Sequence, residues 1–220
     1  MTIFILKIVA CLTMILDHIK YAIPELNNFV TIYFGRIAFP LFAFLLTEGY
    51  VHTSNLKKYY KRLIVFAIIS QIPFMLFRTL VGDWKYLNIM FTLLLGLITI
   101  TAYDKIEKKY ISIPICILVI ALGEILRVDY GWFGVILIFL LYLFKEKKIL
   151  LTISYILLIT IYYIIRGFDV FYIKHLLYII FTIVPLILIY LYNGKKGRSI
   201  KYFYYLFYPV HMLIFYIISI

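Results

Sequence analysis

Cysteine, acidic residues and linker sequence are all scarce in this chain, and each scarcity excludes something. Two cysteines occur in 220 residues. Cys11 and Cys116 both sit inside apolar stretches, which argues against a disulfide framework and for packing roles. No HExxH or CxxC spacing exists, so no metal site is expected. No Pro/Gly-rich linker, low-complexity segment or clear internal repeat interrupts residues 1–220, which read as a single domain. The missing inverted repeat counts against a secondary transporter. Charged residues make up 15% of the chain, with ten acids against 22 Lys and Arg.

What is abundant is apolar sequence: 65% of residues are hydrophobic and mean hydropathy is +1.04. Apolar runs of about 17–22 residues recur along the chain, each long enough to cross a bilayer as a helix. The expected architecture is all-α, a polytopic membrane bundle of about nine spans, with eight to ten as the range. They fall near 3–23, 31–52, 63–80, 87–103, 110–126, 131–144, 149–165, 173–192 and 202–219. The first run is too long for a signal-peptide core and no small-residue cleavage site follows it, so it reads as a retained span. Span six is short, and a re-entrant pairing with span five through Leu126–Gly131 is the alternative.

A net charge of +12 invites a nucleic-acid reading, but the charges cluster between spans. Lys57, Lys58, Lys61 and Arg62; Lys105, Lys108 and Lys109; Lys145, Lys147 and Lys148; and Lys195, Lys196, Arg198 and Lys201 all fall in alternate loops. The intervening loops carry only scattered Lys20, Arg78, Lys85, Arg127 and Arg166. The positive-inside bias therefore predicts a cytoplasmic N-terminus and an extracytoplasmic C-terminus, with lipid rather than nucleic acid as the surroundings.

Charged groups within spans cost several kcal/mol each and persist where they line a cavity. Asp17 and His18 lie in span one; Arg36 and Glu48 lie in span two. Lys7, Cys11, Met14 and His18 share one helix face by spacing. Asp17 is rotated about 100° from His18, so the two cannot form a simple dyad along the helix. One faces a cavity while the other contacts a neighbouring span. Pro40 cannot donate to the carbonyl of residue 36, which predicts a kink where the Arg36 guanidinium sits. Arg36 is then an anion or carbonyl contact, or an ion pair with Asp17, or both.

Glu48 and His52 are one turn apart and lead into Lys57, Lys58 and Arg62. This basic helix end suits a phosphate-rich cytoplasmic ligand; ordinary positive-inside charge is the plain alternative. Pro73 predicts a break in span three. Tyr204, Tyr208 and His211 share a face of the last span, where His211 is either a reserve imidazole or a core histidine bonded to a tyrosine. His175 reads as interfacial. Asp129, Trp132, Arg166 and Asp169 occupy outer loops, where they either receive an external substrate or are solvated loop residues.

Several segments together resemble the TraX family of bacterial membrane proteins. The matching residues are Met14-Ile-Leu-Asp-His18, Gly35-Arg-Ile-Ala-Phe-Pro-Leu-Phe-Ala-Phe44 running on to Glu48-Gly49 and His52-Thr53, then Tyr59, Arg62-Leu63, Ala67, Ile69-Ser70, Ile72-Pro73-Phe74, and Phe207-Tyr-Pro-Val-His211. The match is densest over residues 7–75 and thins from about 105 to 195. The resemblance implies a multi-span acyltransferase moving an acyl group from cytoplasmic acyl-CoA to an acceptor at or beyond the outer face. The family takes its name from a protein that acetylates the N-terminus of a conjugative pilin. The poorly matched middle is expected to shape acceptor choice, so pilin is not carried over as substrate.

The resulting expectation is an acetyl-CoA-dependent transferase acting on an amine or hydroxyl of an envelope or exported peptide or glycan. Such chemistry needs a base for the acceptor and donors for the carbonyl oxyanion. His18 is the expected base with Asp17 orienting or charging it. Arg36 is the carbonyl or diphosphate contact, and His211 the reserve. Glu48, His52, Lys57, Lys58 and Arg62 are the expected donor-binding set. A small-solute or proton-coupled transporter is the rival reading, because buried Asp, His, Arg and Glu suit it equally. A structural envelope partner ranks third.

Overall fold

A computed structural model describes residues 1–169, 171–198 and 201–220, and the backbone alone at 201 and 202. Ser199 and Ile200 of the basic stretch 195–201, and the Lys201 side chain, thus lie outside the described residues. Among the described residues nine α-helices follow one another: α1 Ile3–Ala22, α2 Ala38–Val51, α3 Leu56–Thr79, α4 Ile89–Lys105, α5 Lys109–Ile125, α6 Gly131–Leu143, α7 Lys148–Ile165, α8 Ile173–Tyr190 and α9 Lys201–Ser219. The described residues form no strand beyond a single bridge between Leu87 and Val128.

The bundle buries polar side chains within its apolar core and turns large apolar ones outward. Thr13, Thr47, Ser70, Asn88, Thr92, Thr99, Ser112, Thr182 and His211 are buried. Ile72 on α3, Ile125 on α5 and Ile149 on α7 are 69%, 71% and 77% exposed. Water would penalise that surface; hydrocarbon would not. Val30–Val51, Leu56–Thr79, Lys148–Ile165 and Ile173–Tyr190 are each long and apolar enough to cross a membrane. α6 has 13 residues, about 20 Å of helix, which is short of a full hydrocarbon crossing.

Caps set the helix starts. Thr2 accepts from the amide of Ile5, Asn55 from Lys58 and Asn88 from Met90. The Asn55 cap starts α3 seven residues before the expected position 63, drawing the basic turn Lys57–Arg62 into the helix. Pro73 does not break α3, which runs unbroken from Leu56 to Thr79. The second span departs from α geometry as a π turn over Val30–Phe34 and a 3₁₀ turn over Gly35–Ile37. Regular helix starts only at Ala38, so Pro40 stands in the first turn, where its missing N–H costs nothing.

α1 packs between α2 and α9, α3 packs on α9 and α4, α6 joins α2, α4, α5 and α7, and α8 closes against α7 and the 3₁₀ turn. The first and last helices therefore meet.

Candidate functional site

A cavity of about 750 Å³ opens at one end of the bundle, lined from all nine described helices and their connections. Its wall includes Asp17, His18 and Lys20 of α1, Arg36 and Phe39 of the second span, Phe77 and Arg78 of α3, Asp129 and Tyr130 between α5 and α6, Tyr162 and Tyr163 of α7, and Tyr208 of α9.

Glycine makes a close backbone approach possible. A Cβ on Gly35 would stand 2.7 Å from Cα and Cβ of Asp17, so only glycine lets the 3₁₀ turn press onto α1 there. That approach seats Arg36 over Asp17. Nη2 of Arg36 donates to Oδ1 of Asp17, and Lys20 Nζ donates to the same oxygen at 2.9 Å. One carboxylate thus serves two cations. Arg36 Nε is buried with no hydrogen-bond partner among the described residues, and the Arg36 guanidinium lies 5.8 Å from the Tyr178 ring centre.

His18 points elsewhere. Its Nδ1 lies 3.0 Å from Nε2 of His211, while Nδ1 of His211 lies 2.8 Å from the Phe207 carbonyl oxygen. A carbonyl only accepts, so His211 carries its hydrogen on Nδ1. A short N···N contact needs one lone pair, so in a neutral pair His211 Nε2 accepts and His18 Nδ1–H donates. The lone pair of His18 Nε2 then remains, with no hydrogen-bond partner among the described residues. His18 lines the cavity and His211 stands behind it. The arrangement is a base, an imidazole that orients it, and a carbonyl that fixes the tautomer, the logic used by acid–base relays generally. Phe77 packs edge-on to His18 at 5.2 Å, and Phe207 stacks on His211 at 5.1 Å.

The structure brings His18, His211, Asp17 and Arg36 to one site. The expected coupling within it differs: Asp17 turns to Arg36 and Lys20 rather than to the His18 ring, as the 100° offset allows. His211 is bonded to a histidine and a carbonyl, not to a tyrosine. The Tyr208 hydroxyl, buried at the cavity, makes no hydrogen bond among the described residues.

The donor-binding candidates lie at the other end. Phe77 touches His18, and Arg62 and Lys57 precede it on α3 by about 22 and 30 Å of helix. Lys57 and Lys58 are exposed, and Arg62 stacks on Tyr59 at 5.4 Å. His52 Nδ1 donates to the Glu48 carbonyl oxygen at 3.0 Å, with the Glu48 carboxylate 3.7 Å away. Nearby, the Tyr50 and Tyr142 hydroxyls donate to Asp104 at 2.6 and 2.7 Å.

Sequence reasoning passed over Arg78 and Tyr130, and left Asp129 between a substrate contact and a solvated loop residue. Arg78 was one of several scattered outer cations; its guanidinium, like that of Arg127, lies 4.8 Å from the Tyr86 ring centre. Tyr130 adopts a left-handed backbone (φ 66°) and stacks on Phe39 at 3.9 Å. Asp129 is no solvated loop acid: burial pushes its carboxyl up to about 6 against the lowering field of Arg78. Of the other outer-loop candidates, Arg166 lines the cavity, whereas Trp132 and Asp169 do not. No group of His, Cys, Asp and Glu suited to a metal occurs among the described residues.

Comparison with known proteins adds a family. The family model described as TraX protein matches residues 3–219. The chain is also similar to a protein of Dichelobacter nodosus named "Probable fimbrial assembly protein FimC, serogroup H1". The two are 31% identical over 172 residues, covering 70% of this chain and 67% of that protein. No solved structure matches the chain.

Proposed function

The chain belongs to the TraX protein family, and on that premise we propose that it is a transmembrane acyltransferase. It moves an acetyl group from cytoplasmic acetyl-CoA to an amine or hydroxyl of an envelope or exported acceptor. The fimbrial name of the relative makes a surface-appendage subunit the first acceptor to try. In this reading the chain crosses the cell membrane nine times, α6 completing its crossing with the residues that flank it, and the N-terminus lies inside, the C-terminus outside and the cavity at the outer face.

The observation that supports it is that His18, backed by His211, and Arg36 line one cavity. His18 Nε2 takes the proton from the acceptor as its nitrogen or oxygen attacks the thioester carbonyl carbon. The carbonyl oxygen gathers charge beside the unpartnered Arg36 Nε–H. Collapse breaks the carbon–sulfur bond, and the proton held on His18 passes to the departing thiolate. His211 keeps the His18 lone pair aimed at the cavity throughout. Asp17 holds Arg36 in place.

CoA phosphates dock at the cytoplasmic cations, with Lys57, Lys58, Arg62, Glu48 and His52 as the binding set. The thioester must then reach across the inner half of the bundle. Acetyl-CoA labelled in its acetyl carbon, supplied to inverted membranes carrying the protein, tests the reading. Covalent label in envelope material that disappears with His18→Ala supports transfer. Solute flux without label would make the protein a transporter, and neither result would leave an assembly partner.

A further inference from the structure

Positive charge outside the cytoplasmic clusters has little reason to exist in short outer loops. The sequence spreads Lys20, Arg78, Lys85, Arg127 and Arg166 over four separate connections. The structure gathers all of these but Lys85 into the lining of this cavity, joined there by Arg36. Residues scattered in sequence but convergent in space share a task.

We propose that this cavity recognises its acceptor through an oxyanion, a phosphate or carboxylate carried beside the nucleophile. The word acceptor rests on the acyl-transfer reading; the oxyanion site does not.

Charge balance favours it. Five cations line the cavity against three carboxylates, those of Asp17, Glu124 and Asp129. Asp17 is already shared by Arg36 and Lys20, and Arg127 pairs with Asp83 at 3.3 Å. Arg78 and Arg166 have no carboxylate partner within ion-pair distance among the described residues. Arg78 spends its Nε on the Asp83 carbonyl at 2.8 Å and lies over Tyr86; Arg166 lies 5.3 Å from the Tyr162 ring centre. Stacking holds a guanidinium by its face and leaves edge N–H groups for a planar or tetrahedral oxyanion.

The backbone supports the same end. Arg127 (φ 51°) and Tyr130 (φ 66°) are non-glycine residues in the left-handed region. Leu87 holds their loop from both sides, donating to the Arg127 carbonyl at 3.0 Å and accepting from the Asp129 amide at 2.8 Å. Such conformations persist where surrounding structure over-determines them, and they concentrate at binding sites. The donor's own phosphates are the competing oxyanion, but the basic cluster assigned to them lies at the far end of α3.

Calorimetry on the purified full-length protein in neutral detergent, with inorganic pyrophosphate and succinate as probes, tests the site without turnover. At least one probe should bind the parent. Its affinity should fall about tenfold or more in Arg78→Gln/Arg166→Gln, as loss of charge-assisted contacts predicts. Lys85→Gln should bind as the parent does. Should the double variant fail to fold, Arg166→Gln alone, at an exposed position, carries the comparison. Binding of neither probe, equal weakening by Lys85→Gln, or displacement of the bound anion by CoA would each overturn the proposal. Anion binding without acetyl transfer would refute only the transferase reading.

Discussion

Nδ1 of His18, on the first helix, lies 3.0 Å from Nε2 of His211, on the last, across 193 positions of sequence. The Phe207 carbonyl behind His211 fixes which ring nitrogen carries hydrogen, and so leaves His18 Nε2 as the basic atom. His18→Ala is therefore expected to lower transfer by about 10²–10⁴-fold, with expression and donor binding near normal. His211→Ala should cost less, because the base survives and only its orientation is lost. Asp17→Asn should act through Arg36 rather than through the imidazole. Retained transfer in His18→Ala with loss in His211→Ala would reverse the roles of the pair.

Gly35→Ala places a methyl 2.7 Å from the Asp17 backbone, which cannot swing aside as a side chain would. The contact between α1 and the 3₁₀ turn must open, at about 1–3 kcal/mol for such overpacking. A lowered melting temperature and weakened transfer are expected together, since the shift pulls Arg36 from Asp17. A variant as stable and active as the parent would mean that the helices do not meet this closely.

The same residues show what sequence can and cannot deliver. Asp17, His18 and Arg36 were legible because a charge in an apolar run has few excuses. Their partners were less legible. Spacing rules relate residues along one helix, so they separated Asp17 from His18 correctly but could not bring His211 from the far end of the chain. The ion pair of Asp17 with Arg36 stood as one of two readings until Gly35 was seen to seat it. Helix positions along the chain followed hydropathy closely, whereas Pro73 misled, because α3 continues through it. The outer cations looked incidental, since their convergence depends on the packing of five segments.

The proposed donor site is tested apart from the chemistry. Reversing charge at Lys57, Lys58 and Arg62 should raise KM for acetyl-CoA with a smaller change in kcat, because those contacts are made equally in ground and transition states. The separation of about 22–30 Å from His18 makes a direct effect on proton transfer implausible. Unchanged donor affinity after reversal at this cluster and at Lys195, Lys196 and Arg198 would remove the assignment.

Topology follows from the same charges. A reporter fused after Ile220 should read as extracytoplasmic, while fusions within 54–62 and after Asn193 should read as cytoplasmic. A cytoplasmic C-terminus would remove one crossing, and α6, with 13 residues, is the element to re-examine.

Asp129 gives the cavity a pH dependence whose sign is fixed. Burial pushes its carboxyl up to about 6, from an ordinary value of 3.8. Arg78 from α3, Asp17 from α1, Arg36 from the second span and the neighbouring Tyr130 amide are the groups that act on it. A carboxyl raised on folding disfavours the folded state when ionised, so stability should rise as pH falls from about 7 through 6 toward 4. Over the same interval the cavity loses a negative charge, and binding of sulfate, which does not titrate there, should tighten. Asp129→Asn should bind sulfate at pH 7.5 as the parent does near pH 5.5, with a flat profile between. If Asp129→Asn keeps the parent's pH dependence, the titrating group is another cavity residue, and His18 is the one to replace next.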